Sequence, residues 1–199
     1  MYLFMDTETG GLDPSTPILE AYFCLTTEKL EVVKELHLFC KPDNGIYNIE
    51  PEALKINKID LVEHDKKAEV YEVCKKKIYE FLKLCCQEFG GAKNIIPVGN
   101  NVFFDIEKIQ RHWLTKKTMD QFVSYRVIDL KAIWMYLQAV GILPAELKAS
   151  SEAMAQYFKV AEAREHAAKG DVFVDMLIFL QLIDMGKYYK RCGETLSKI

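Results

Sequence analysis

Nothing in the 199-residue sequence approaches the ~20 consecutive apolar residues that a membrane-spanning helix needs. The opening stretch, MYLFMDTETG, holds no basic leader and no long apolar run, so no secretory signal is expected and a cytoplasmic protein is. Cysteine pairing is also lacking. The six cysteines, Cys24, Cys40, Cys74, Cys85, Cys86 and Cys192, form no C-x-x-C pair and no regular framework. They are expected to be reduced, packed thiols rather than disulfides or zinc ligands. Repeats, linkers and low-complexity segments are absent, so residues 1–199 read as a single domain. Strong charge of either sign is missing too: 26 basic and 29 acidic side chains leave −3. Such a chain is not expected to grip polyanions tightly and indiscriminately. What remains is an ordinary globular balance, 50% hydrophobic and 28% charged, which excludes disorder.

The apolar pattern predicts an α/β fold. Tyr2-Leu3-Phe4-Met5 reads as a strand buried on both faces. Ile18 to Thr27 is a second strand. Leu30, Val32, Leu36, Leu38 and Cys40 alternate with polar residues as a third, joined to the second by the short Thr26–Lys29 link. Three antiparallel strands are therefore expected first. After Pro42-Asp43-Asn44-Gly45, helical spacing takes over from Val70 to Cys85. A short strand at Ile95–Val98, a helix at Val102–Leu114 and a fifth strand at Val127-Ile128 follow. A helix capped by Asp129 and running to Val140, a short helix at Glu152–Phe158 and a buried one from Gly170 to Met185 complete the chain. The sum is a mixed five-stranded sheet flanked by helices.

Five residues stand out chemically. Asp6 and Glu8 lie two apart at the end of the first strand, so they share a face. Paired carboxylates repel, and a hard divalent cation relieves that repulsion. Gly10 and Gly11 follow in a tight turn that would hold Leu12 on an exposed loop. Asp105 opens a helix, where it also suits the helix dipole. His166 and Asp171 are five apart and converge only if Asp171 starts a helix after a break, for which Gly170 is placed. Asp129 reads as a helix cap and Asp175 as a solvated acid. His37, His64 and His112 read as surface or core residues. The lysines between Lys66 and Lys83 read as a solvated face.

Together these segments resemble one family. Asp6-Thr7-Glu8-Thr9-Gly10-Gly11-Leu12 resembles D-T-E-T-T-G-L, and Asn101-Val102-Phe103-Phe104-Asp105 resembles part of H-N-A-x-F-D. His166-Ala167-Ala168-Lys169-Gly170-Asp171 resembles H-x-x-x-x-D, and Ile49 to Ile56 resembles the family's I-x-P-x-A segment. In this order they resemble the DEDDh 3′–5′ exonucleases related to the DNA polymerase III epsilon proofreading subunit. The resemblance runs from about Tyr2 to Met185. It implies a ribonuclease-H-like fold and metal-dependent hydrolysis at nucleic-acid 3′ ends, releasing nucleoside monophosphates. Asp6, Glu8, Asp105 and Asp171 would bind two Mg2+ or Mn2+ ions, and His166 would be the general base. Thr9, Leu12 and Asn101 would contact the 3′-terminal nucleotide. Two residues depart from the pattern: Asn100 stands in place of histidine and Gly10 in place of the second threonine.

The resemblance favours single-stranded DNA over RNA. The alternatives are a ribonuclease of the same fold, which would need contacts to the 2′-hydroxyl, or a non-catalytic nucleic-acid-binding module. It leaves open whether the chain works alone or beside a polymerase or another replication or repair partner. With four acids neutralised by metal, the remaining charge is slightly basic, which suits a phosphate-backbone substrate.

Overall fold

A computed structural model of the chain describes residues 1–160 and 167–196, with side chains through 190. Five strands form one sheet: β1 (Tyr2–Thr9), β2 (Ile18–Thr26), β3 (Val32–Phe39), β4 (Ile96–Gly99) and β5 (Ile128–Asp129). Their spatial order is β3-β2-β1-β4-β5. The first three pair antiparallel, as the period-2 pattern predicts, while β1–β4 and β4–β5 pair parallel. The parallel pairs need crossovers, and helices supply them.

Eight α-helices accompany the sheet among the described residues: α1 (Pro51–Asn57), α2 (Leu61–Lys67), α3 (Tyr71–Glu88), α4 (Val102–His112), α5 (Lys116–Met119), α6 (Leu130–Ala139), α7 (Ser151–Tyr157) and α8 (Ala168–Leu196). Local chemistry starts several of them. Asp60, Asp129 and Ser150 accept backbone N–H bonds as N-caps of α2, α6 and α7. Pro51 occupies the first turn of α1, where a missing N–H costs nothing.

Side chains of the central strands alternate between two apolar layers. Leu3, Met5, Ala21 and Phe23 pack with Cys74, Ile78 and Leu82 of α3 and Val102 and Ile109 of α4. Phe4, Tyr22, Cys24 and Val98 face the other way, onto Trp134 of α6 and Val172 and Ile178 of α8. Cys24, Cys40, Cys74 and Cys85 are buried free thiols, as the sequence suggests. No helix among the described residues is long and apolar enough to cross a membrane.

Five elements differ from expectation. β1 extends beyond Met5 to Thr9, because backbone pairing with β2 continues under polar side chains. Helices α1, α2 and α5 have seven, seven and four residues, too short for a helical period to declare itself. Helix α8 begins at Ala168, so Gly170 is inside its first turn rather than a break before it.

Candidate active site

β1 runs to the sheet end at which α4 and α8 both begin. Asp6 and Glu8 sit on the Phe4 side of the strand, toward α8, and Thr7 faces the α4 layer. Asp171 lies in the first turn of α8. Single carboxylate oxygens of Asp6, Glu8 and Asp171 all fall within 4.8 Å of one another.

Asp105 joins them from the other layer. It is buried in the first turn of α4, and one carboxylate oxygen accepts bonds from the Thr7 backbone N–H at 2.9 Å and the Thr7 hydroxyl at 2.7 Å. The residue between the two strand acids thus locks the third in place. The four acids come from three elements.

Crowding has an electrostatic cost. Burial, and then the charges of Asp105, Glu8, Asp171 and Asp175, push the Asp6 carboxyl well above the usual range. Burial likewise pushes Asp105 up to about 7, against the two Thr7 hydrogen bonds that pull it down. A donor set made only of carboxylate oxygens, held this close, fits a hard divalent cation such as magnesium or manganese.

Asp175 corrects the sequence reading. It is 4% exposed, not solvated, and accepts bonds from the Asn100 backbone N–H at 2.8 Å and the Ser151 hydroxyl at 3.3 Å. It fixes the β4–α4 turn from α8. Its place one turn beyond Asp171, on the same helical face, was the available signal. Asp129 caps α6 through Ala132, as expected, and also accepts the Asn101 N–H at 3.3 Å. Asn101 itself has left-handed backbone geometry and opens α4.

Beside the acids lies a cavity of about 220 Å3 between β1, α1 and α4. Thr7, Glu8, Thr9, Leu12, Ile56 and Phe104 are among its lining residues. Thr9 is buried, and its hydroxyl donates to the Gly11 carbonyl at 2.9 Å. Leu12 is 79% exposed at the rim. Asn57 anchors α1 to the strand by donating to the Thr9 carbonyl at 3.2 Å.

His166 lies outside the described residues. The other three histidines are engaged by the fold. His64 is buried, with its ring nitrogens on the Leu19 carbonyl and the Tyr47 hydroxyl. His112 meets the Pro14 carbonyl, and His37 pairs with Glu20 at 2.7 Å. Burial holds His64 and His112 below the ordinary imidazole pKa.

Comparison with known proteins bears on this arrangement. A family model described as exonuclease, of the RNase T type, matches residues 3–179. No curated protein matches the chain. Among solved structures, E. coli Exonuclease I in complex with a dT13 oligonucleotide superposes with a TM-score of 0.68 at 19% identity, over 89% of this chain and 39% of that one. Its dA16 complex gives 0.66 at 20% identity, over 92% and 40%. The zinc-bound form of its complex with single-stranded DNA gives 0.68 at 19%, over 100% and 45%. The chain therefore spans less than half the length of these structures, and at such identity the likeness is one of fold. With the family model covering nearly the whole sheet and its helices, the chain belongs to the RNase T exonuclease family, of the DEDDh type its motifs resemble.

Proposed function

We propose that the chain is one exonuclease domain, residues 1–199, that uses two divalent ions to remove nucleoside monophosphates from 3′ ends, preferably of single-stranded DNA. The observation that carries this reading is the acid cluster: three carboxylates within 4.8 Å and Asp105 locked beside them by Thr7. Asp6, Glu8, Asp105 and Asp171 would hold the ions. Two such ions supply activation of water and stabilisation of the leaving oxygen.

The chain's own residues do the rest. The cavity beside Glu8 receives the terminal nucleotide, with Leu12 wedged against its base and Thr9 and Asn101 at its flanks. His166 takes the proton of the attacking water, a task suited to an imidazole that is neutral near pH 7. DNA is favoured because the superposed Exonuclease I structures hold dT13, dA16 and other single-stranded DNA.

Matched DNA and RNA oligomers, each blocked at one end, test the reading. Digestion is expected to stop in EDTA and to return with magnesium or manganese. A blocked 3′ end should prevent it and a blocked 5′ end should not. Full activity in chelator would sink the metal mechanism. A circular strand cut as fast as a linear one would contradict end recognition, and faster loss of RNA than DNA would favour the ribonuclease of the same fold.

A further inference from the structure

The loop that carries Leu12 is gripped from both sides by two charged residues that the sequence reading assigned no role. Lys108 of α4 is 2% exposed, and its ammonium lies under the loop. It donates to the carbonyls of Gly11 at 3.0 Å and Asp13 at 2.6 Å and to the Thr16 hydroxyl at 2.7 Å. A buried ammonium has three protons to place, and here three short bonds take them. The Thr16 hydroxyl in turn donates toward the same two carbonyls, at 2.8 and 2.7 Å.

Glu50, just before α1, takes the opposite polarity. One of its carboxylate oxygens accepts the Leu12 N–H at 3.1 Å and the other the Asp13 N–H at 3.0 Å. Its own N–H donates to the Gly10 carbonyl at 2.6 Å. Cation on carbonyls and anion on amides thus hold the loop backbone by bonds of both polarities on either side of Leu12. Gly11 is needed for this approach: a Cβ there would stand 2.2 Å from the Glu50 carboxyl carbon.

Lys108 also shares a short rigid helix with Asp105, three residues away. One rod thus reaches the acid cluster with one side chain and the loop with another. Helix α4 thus ties the loop and Asp105 to one element.

We infer that Lys108 and Glu50 are positioning residues, a two-sided clamp that preforms the Gly10–Thr16 loop so that Leu12 meets the 3′-terminal base at a fixed distance from the acid cluster. The clamp deepens the exonuclease reading and rests on it. A preformed wedge avoids the ordering cost that a free loop would incur with each new end it binds.

Two variants test this, Lys108→Met and Glu50→Gln, the second retaining one good acceptor in case the first does not fold. Amide hydrogen exchange of the metal-free proteins is the first readout, because it needs no activity. Exchange at Leu12 and Asp13 is expected to quicken by about tenfold or more while the sheet core keeps its protection. Kinetics on 3′ ends are the second. KM should rise by about tenfold, with a smaller change in kcat. Leu12→Ala should raise KM in the wild type but add nothing in the Lys108→Met background, since an unclamped wedge is already lost. Unchanged exchange at both amides in both variants overturns the clamp. A full additive effect of Leu12→Ala overturns the link to the wedge. A wild-type protein with no 3′-end activity overturns the wedge function together with the reading beneath it, while the exchange result still decides whether the clamp exists.

Discussion

Asp6→Asn is expected to abolish metal-dependent cleavage and at the same time to make the metal-free protein harder to unfold. Both effects come from the same crowding. Asp6 sits among Glu8, Asp105, Asp171 and Asp175, whose charges raise its pKa after burial has already done so. An amide of the same shape removes one member of that repulsive set, and it removes a ligand. The pH dependence follows in sign. A carboxyl with a raised folded-state pKa stabilises the fold while protonated. That contribution is fully present below the unfolded value, near ~4, and is lost as pH rises through the folded one. For Asp105 the folded value is about 7. The metal-free wild type should therefore melt higher at pH 5.5 than at pH 7.5, by an amount of order ~5 °C. In Asp6→Asn the gap should narrow, with the gain at the higher pH. Manganese or magnesium should raise the wild-type melting temperature at pH 7.5 and leave the variant nearly unmoved. Calorimetry of both proteins at the two pH values, with and without metal, decides the matter. A wild-type melting temperature that climbs with pH in the absence of metal would refute the electrostatic account.

His166→Ala should behave in the opposite way. A general base contributes to rate and not to metal affinity, so the variant should still bind metal and lose about 10²–10⁴-fold in kcat. In the wild type kcat should rise with pH through the imidazole pKa, near ~6.5, because the neutral form accepts the proton. That inflection should vanish in the variant. Water on a bound cation can titrate in the same range, which is why the comparison and not the profile alone is informative. His37, His64 and His112 are each engaged by the fold, so none stands ready to substitute. Wild-type rate with the same profile in His166→Ala would make His166 a bystander.

The sheet was legible because burial writes itself into the spacing of apolar residues. Alternation in β3 and the apolar run opening β1 marked strands, and the long helices α3, α4 and α6 showed their period. Helices α1 and α2 were not legible. Seven residues give fewer than two full turns, and what fixes them is a proline start, an aspartate cap and contacts of α1 with β1 and of α2 with β2. At the candidate site, Asp6, Glu8, Asp105 and Asp171 were visible as carboxylates in recurring company. Asp175, Lys108 and Glu50 were not. Charged residues on a helix or before one are solvated more often than buried; the packing of α4 and α8 takes Lys108 and Asp175 from water, and Glu50, half-buried before α1, finds its partners in a loop some forty residues earlier. Sequence patterns report which face of an element is apolar. They do not report which polar groups on it will find a partner many residues away.

The origins of the four acids carry a consequence for biosynthesis. Two come from the first strand, one from mid-chain α4 and one from α8, the last helix among the described residues. A ribosome delivers them in that order, and until α8 emerges and docks, the earlier three have no fourth to complete the site. Such long-range closure is intrinsically late in folding. An unfinished chain, tethered to the ribosome with messenger RNA and its ends close by, is therefore without the proposed hydrolytic centre. On the proposed reading, topology alone withholds the activity from translation intermediates that lack α8.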